Sequence, residues 1–172
     1  MTKIIVSILT VLTLLSVTAV ADTPLFAPKV GDLAVYDIQV SDLNLKGQRM
    51  VRLEHIDHRQ AGVTIYMAGF YTIKSDGSLR PLGRDSIFQL EKLYFTELAS
   101  ACAEMNGAIE NVTVPAGIFA ACKVSKPVPP TYVVTQFYAA NIPFGLVKEI
   151  VTKTSDASYS STQELNRFEV GK

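Results

Sequence analysis

The sequence lacks the charge excess and the motifs that identify many enzymes and nucleic-acid-binding proteins. Its 16 lysines and arginines balance its 16 aspartates and glutamates, so no basic excess indicates a nucleic-acid partner. No serine lies in a G-x-S-x-G elbow, and no glycine-rich phosphate loop is present. The two cysteines do not form a C-x-x-C pair, which argues against a redox enzyme. These absences predict a protein that is not an enzyme and that uses no cofactor.

Metal-binding side chains are equally scarce. The only histidines are His55 and His58, and Asp57 lies between them in a predicted strand. Alternate residues of a strand point to opposite faces, so His55 and Asp57 share a face while His58 points away. Because a metal site needs converging ligands, we predict no metal at these positions.

The amino terminus has the organisation of a cleavable signal peptide. Lys3 supplies a positive charge, and an apolar run from Ile4 to Val17 follows it. The run leads to Ala19-Val20-Ala21, a small-x-small cleavage signature, and it is too short to span a bilayer comfortably. We therefore predict a signal peptide over residues 1–21 and an exported chain, periplasmic or secreted, over residues 22–172.

Two kinds of membrane attachment fit the sequence less well. A retained anchor is disfavoured because no stop-transfer charge cluster follows the apolar run, and Pro24 and Pro28 come almost at once. A lipoprotein anchor needs a cysteine at the cleavage site, whereas the first cysteine is Cys102. No second apolar run reaches spanning length, so we do not expect an integral membrane protein after cleavage.

Cys102 and Cys122 are the only cysteines, and both remain in the mature chain. An even count in an oxidising compartment favours a disulfide. The loop that this bond closes has about twenty residues, which corresponds to roughly 3 kcal/mol of stabilisation in the chain-entropy treatment. Two buried thiols or a metal pair are the alternatives, but both histidines lie far away in sequence.

The mature chain alternates apolar and polar residues in short segments, which is typical of antiparallel strands. Residues 85–100 are ambiguous, because their apolar spacing slightly favours a helix over residues 86–93 while alternation also supports a strand. We predict a single mainly β domain over residues 22–172: a strongly curved antiparallel sheet or open β-barrel of eight or nine strands, with one short helix. The strands assigned from the pattern cover residues 32–41, 50–56, 63–73, 108–114, 117–126, 131–139, 146–154 and 158–170.

The carboxyl-terminal half contains a recognisable pattern. Residues 112–124 read V-T-V-P-A-G-I-F-A-A-C-K-V, and Q-F-Y-A at 136–139 and F-G-L-V-K-E at 144–149 follow. This pattern resembles exported bacterial proteins of unknown function with V-x-V-P-A-G-x-F and L-V-K-E segments, which usually have Trp where this chain has Phe137. The resemblance covers about residues 107–169 and implies a half-barrel. Half-barrels of this kind are distantly similar in architecture to periplasmic carriers that shuttle lipoproteins to the outer membrane, although a fold does not imply a function.

Four residues of this pattern have an expected structural role. Pro115 and Gly117 suit a tight hairpin turn, since proline presets φ and glycine supplies a positive φ. Gly145 allows the chain to enter a strand packed closely against its neighbour. Lys148 and Glu149 are adjacent in a strand and point to opposite faces, so one of them is available to the concave side.

Aromatic side chains are the candidates for the lining of a ligand groove, although such residues are also ordinary sheet-core residues. The resulting hypothesis is a non-enzymatic binding module for an apolar, lipid-like ligand or for a protein partner. A structural or assembly component of the cell envelope is the alternative, and a hydrolase with an unrecognised site is a third possibility. The candidate groove residues are Tyr66, Phe70, Tyr71, Phe88, Phe119 and Tyr138.

The intact mass of the protein purified from the periplasm tests the export signal and the disulfide together. We expect a chain that begins at Asp22 and does not react with an alkylating reagent until it is reduced. Alkylation of two thiols without reduction would show that Cys102 and Cys122 are not bonded to each other.

Overall fold

The computed structural model describes residues 27–59, 63–88, 97–129 and 131–172. Within these ranges, nine antiparallel strands form one curved, unclosed sheet, and one short helix accompanies them, which confirms the predicted fold class. The helix α1 spans Leu98–Glu104. The strands are β1 (Leu33–Val40), β2 (Leu45–His58), β3 (Thr64–Ile73), β4 (Leu79–Phe88), β5 (Ala108–Val114), β6 (Gly117–Val128), β7 (Tyr132–Tyr138), β8 (Leu146–Lys153) and β9 (Asp156–Glu169).

The sheet consists of two meanders that meet at its centre. Its strand order is β4-β3-β2-β1-β9-β8-β7-β6-β5. Within each meander, strands that are neighbours in sequence are also neighbours in the sheet, as hairpin connections require. The first and last strands, β1 and β9, pair along the whole of β1, from Leu33 opposite Glu169 to Val40 opposite Ser161. This one pairing joins the two halves of the protein.

Of the two alternatives for the ambiguous segment, the strand is correct for its first residues, and the slightly favoured helix at Ser86–Leu93 is wrong there. Ser86, Ile87 and Phe88 belong to β4, where they pair with Met67, Tyr66 and Ile65 of β3. The ladder decides the outcome because it satisfies backbone hydrogen bonds of β3 that a local helix would leave open. The rest of that predicted helix, residues 89–93, lies outside the described residues, as does the predicted signal peptide. The described helix is α1, which comes later in the chain.

A hydrophobic core extends across both meanders. Its most deeply buried large side chains are Tyr36, Leu53, Leu165 and Val147, each 2% exposed or less. Burial of a large apolar side chain contributes about 1.5–3 kcal/mol, so this cluster is a major source of stability. The core also includes Ala34, Val51, Tyr66, Ala68, Val112, Val114, Ala121, Phe137, Ala139, Ile142 and Phe144.

The helix α1 is fastened to β6 by the two cysteines. Cys102 of α1 and Cys122 of β6 form a disulfide, with their Cα atoms 5.4 Å apart. Both residues are buried in a second small cluster with Val124. A helix of seven residues is marginal by itself, so its position depends on this bond and this packing. Within the described ranges, no helix is long and apolar enough to span a membrane.

Gly107 lies against the disulfide and leaves no room for a side chain. A Cβ atom at this position would lie 2.5 Å from the Cys122 sulfur, 2.9 Å from the Cys102 sulfur and 2.8 Å from the carbonyl oxygen of Lys123. Two of these neighbours are held by a covalent bond and the third is backbone. A methyl group at Gly107 therefore forces the hairpin and the helix apart.

We expect Gly107→Ala to destabilise the folded protein by about 1–3 kcal/mol, the usual effect of overpacking. Gly47→Ala is the matched control, since a Cβ there meets no atom within 4 Å, and its effect should stay within about 0.5 kcal/mol. Urea unfolding without reductant measures both. Equal stabilities for the two variants would show that the packing at Gly107 is not tight.

Candidate functional site

A polar cleft lies across five neighbouring strands of the sheet. It has a volume of about 860 Å³ and is open to solvent along residues of β3, β2, β1, β9 and β8. We refer to it as the polar cleft. Its lining consists of Asp37, Ile38, Gln39, Ser41, Lys46, Gly47, Gln48, Ile73, Lys74, Ser75, Lys148, Ser160, Thr162 and Glu164.

The strand register explains why these side chains share a face. Residues directly opposite one another in antiparallel strands point to the same side of the sheet. One row across the five strands consists of Ile73, Gln48, Asp37, Glu164 and Lys148, each opposite the next. Gln39 comes two residues after Asp37 in β1 and therefore lies on the same face. It lies opposite Lys46 of β2 and Thr162 of β9. Pairing between the two meanders therefore assembles the cleft.

Asp37 is held at the centre of the cleft by two amide side chains. Gln48 donates a hydrogen bond to one carboxylate oxygen of Asp37, and Asn166 donates to the other, both at 2.8 Å. The two amides come from β2 and β9, the strands on either side of β1. This carboxylate is consequently fixed in orientation.

Lys148 forms the other charged contact in the cleft. Its Nζ atom lies 2.6 Å from a carboxylate oxygen of Glu164, and the two side chains are 21% and 31% exposed. Lys148 belongs to the L-V-K-E segment, and the structure places it in the cleft. Its neighbour Glu149 lies opposite Gln136, which donates a hydrogen bond to it at 2.7 Å. Adjacent strand residues thus separate onto the two faces.

The structure distributes the predicted groove residues over more than one environment. Tyr66, Phe70 and Phe119 belong to or pack against the hydrophobic core. The guanidinium of Arg49 covers the Phe70 ring at 4.9 Å. Tyr71 follows Phe70 in β3 and lies on the opposite face, opposite Met50. Because a strand alternates its side chains between two faces, Phe70 and Tyr71 do not share one surface. A ligand groove lined by the other residues stays a prediction.

Tyr138 lies in a third environment. It packs against the small cluster around the disulfide, and its hydroxyl donates a hydrogen bond to Gln136 at 2.7 Å. Burial, followed by the nearby Glu149 carboxylate, raises the pKa of Tyr138. The side chain of Phe88, the sixth predicted groove residue, lies outside what the structure describes.

The turn residues of the pattern occupy backbone positions that suit them. Pro115 and Ala116 connect β5 to β6, and Gly117 follows with a φ of +138°, in the region that favours glycine. The Ala116 amide donates to the carbonyl of Leu165 in β9 at 3.0 Å, which ties the hairpin tip to the sheet centre. Gly145 has a φ of +68° immediately before β8.

A second charged cluster surrounds Glu54, which is 15% exposed, beside a smaller cleft of about 350 Å³. The Tyr71 hydroxyl donates to Glu54, and Arg84 forms an ion pair with it at 2.6 Å. The Tyr71 hydrogen bond and then Arg84 lower the pKa of Glu54, against the opposing effect of burial. The Glu54 carboxylate of β2 is held by Tyr71 of β3 and Arg84 of β4, so the cluster joins these three strands.

The histidines do not converge. His55 lies opposite Met67 and shares its face with Asp57, whereas His58 lies opposite Thr64. The Nδ1 atom of His58 is 3.3 Å from the Thr64 hydroxyl. Among the residues that the structure describes, no group of three or more histidine, cysteine or acidic side chains has the arrangement of a metal site.

Comparison with known proteins identifies fold relatives only. No family model and no curated protein matches the sequence. A protein from Bacteroides fragilis that is described as exported, with a YmcC-like fold, aligns over 84% of this chain and 98% of its own at TM-score 0.54 and 14% identity. A protein from Parabacteroides distasonis described as a lipoprotein aligns over 84% and 97%, at TM-score 0.53 and 14% identity. At this identity the likeness extends to the fold alone.

We expect the Glu54 cluster to make stability depend on pH in the acid range. The lowered pKa of Glu54 means that its contribution is present above the unfolded value of about 4.5 and is lost as pH falls through the folded value. Glu54→Gln should therefore lower the Tm at neutral pH and reduce its further decline towards pH 3. The exposed Glu104→Gln is the control and should follow the wild-type pH profile. A wild-type profile for Glu54→Gln would contradict this assignment.

Proposed function

We propose that this protein is an exported, non-enzymatic binding module that docks a protein partner across the polar cleft. The observation that supports the proposal is the cleft itself, an open polar surface across five hydrogen-bonded strands. A site on paired strands is held more rigidly than a site on loops, so its shape is available before a partner arrives.

Export is supported by the amino-terminal sequence and by the setting of the cysteines. Residues 1–21 have the charge, apolar run and cleavage signature of a signal peptide. A buried disulfide between Cys102 and Cys122 suits an oxidising compartment. The fold relatives from Bacteroides fragilis and Parabacteroides distasonis are described as an exported protein and a lipoprotein, which agrees with the same destination.

The lining of the cleft favours a protein partner over a lipid-like ligand. A site for an apolar molecule is lined mainly by hydrophobic and aromatic side chains. Among the residues that the structure describes, no aromatic side chain lines the polar cleft, and Ile38 and Ile73 are its only large apolar members. Of the aromatic candidates whose side chains are described, three belong to the core region and two lie elsewhere. A structural or assembly role in the envelope also requires a protein partner and would use the same surface.

The cleft residues do not form a catalytic group. Its described lining has four hydroxyl-bearing residues, Ser41, Ser75, Ser160 and Thr162. The Ser160 hydroxyl donates to the Ser41 hydroxyl at 3.2 Å. Activation of a serine requires an adjacent general base, and no histidine lines the cleft. The carboxylates that do line it are hydrogen-bonded by amides at Asp37 and ion-paired with Lys148 at Glu164.

Site-specific photo-cross-linking in the native host tests the proposal. A photoreactive side chain at Gln39, exposed in the cleft, should yield one discrete protein adduct. The same group at Thr113, exposed on β5 and outside the cleft, is the control and should yield none. Absence of an adduct from Gln39, or equal adducts from both positions, would contradict docking in the cleft.

Native mass spectrometry of the protein from the same cells separates the two ligand classes. We expect the mass of the protein without a lipid. A lipid retained at one molecule per chain would replace the proposed function with that of an apolar carrier.

A further inference from the structure

We infer that the partner presents an extended, acidic peptide segment to the polar cleft, with its carboxylates at the end formed by Lys46 and Lys74. This inference rests on the proposed function and adds the chemistry of the partner. Charge, dimensions and hydrogen-bonding capacity of the cleft each support it.

The charges of the cleft leave one end positive. Of its three lysines, Lys148 is neutralised by Glu164 at 2.6 Å. Lys46 and Lys74 are exposed, and neither forms an ion pair with another residue in the described part of the chain. The other acid of the described lining, Asp37, accepts hydrogen bonds from two neutral amides and keeps its negative charge in the middle of the five-strand row. Two uncompensated ammonium groups at one end attract a partner with negative charge at that end.

The two lysines lie at the same end of the β2–β3 ladder. This ladder ends where Gln48 of β2 lies opposite Ile73 of β3. Lys46 comes two residues before Gln48, Lys74 directly follows Ile73, and both line the polar cleft. The Lys148–Glu164 pair lies at the other side of the cleft, on β8 and β9. The positive charge is therefore local to one side and is not spread over the whole cleft.

The dimensions of the cleft suit an extended peptide. From β3 to β8 there are four strand spacings of about 4.8 Å, so the cleft spans roughly 19 Å. An extended chain advances about 3.3 Å per residue, so about six residues cross this distance. A single small anion would occupy only the Lys46 and Lys74 end and leave the rest of the cleft unused.

The middle of the cleft offers hydrogen-bonding groups for a peptide backbone. Gln39 and Gln48 contribute amides, and Thr162 and Ser160 contribute hydroxyl groups. Amide and hydroxyl side chains both donate and accept, so they can pair with the N–H and C=O groups of an extended chain. These polar groups fix the register of a bound peptide, and the lysines at the end of the cleft favour a peptide with negative charge.

Fluorescence anisotropy with synthetic peptides tests the inference. The probe is a labelled decapeptide of alternating Glu and Ser, and the comparison peptide has Lys in place of Glu. We expect the acidic peptide to bind wild type and to weaken between about 20 mM and about 200 mM NaCl, because salt screens exposed charges. The joint variant Lys46→Glu with Lys74→Glu should weaken binding at least about tenfold. The affinity of the neutral variant, Lys46→Gln with Lys74→Gln, for the acidic peptide should lie between those of wild type and the charge-reversal variant.

The matched control changes the net charge of the protein by the same amount, at two lysines outside the cleft. Lys126 and Lys172 are exposed and lie outside the cleft, so Lys126→Glu with Lys172→Glu should bind the acidic peptide within about twofold of wild type. Equal weakening by both charge-reversal pairs would show attraction to the whole molecule and would overturn the inference. Equal binding of the basic peptide, or full competition by inorganic phosphate, would also overturn it.

These outcomes are separable from those of the proposed function. If the cross-link from Gln39 forms but neither peptide binds, the cleft docks a partner of different chemistry. If the acidic peptide binds through Lys46 and Lys74 while no adduct forms in cells, the peptide chemistry stands and the proposed physiological partner does not.

Discussion

The pairing of β1 with β9 is the interaction on which the rest of the structure depends. It joins two meanders that are otherwise built from local hairpins, and it brings together residues as distant as Asp37 and Asn166, 129 positions apart. Such a contact closes a long loop, and burial of apolar residues of β1 offsets part of the entropic cost. Ala34, Val35 and Tyr36, consecutive in β1, are all buried.

The same pairing also creates the candidate site. Asp37 of β1 lies opposite Glu164 of β9, and Lys148 of β8 lies opposite Glu164 on the other side. Separated meanders would leave Lys46 of β2 and Lys74, which follows β3, on one piece and the ion pair on the other. Stability and binding surface therefore share one structural element, since Ala34 and Tyr36 of β1 belong to the core while Asp37 and Gln39 line the cleft.

Much of the fold was predictable because antiparallel strands leave a periodic record in sequence. Each of the eight segments assigned from alternation overlaps a described strand. The edge strand β4 was missed, since its residues from Leu79 to Ser86 are exposed and have no buried face to impose alternation. Lys148 was singled out through its sequence pattern, but nothing local marked Lys46, Lys74 or Asp37 as its neighbours in one cleft.

The predicted aromatic groove also shows that local sequence does not reveal which side chains share a surface. Aromatic residues at successive positions, such as Phe70 and Tyr71, are equally prominent in sequence, yet the pleat directs them to opposite faces. Sequence by itself determined the compartment expected for the chain, the strand periodicity and the turn residues, because these depend on neighbours within a few positions. Only the tertiary structure decided which face each strand buries and which distant polar residues meet, because long-range register alone places β1 beside β9.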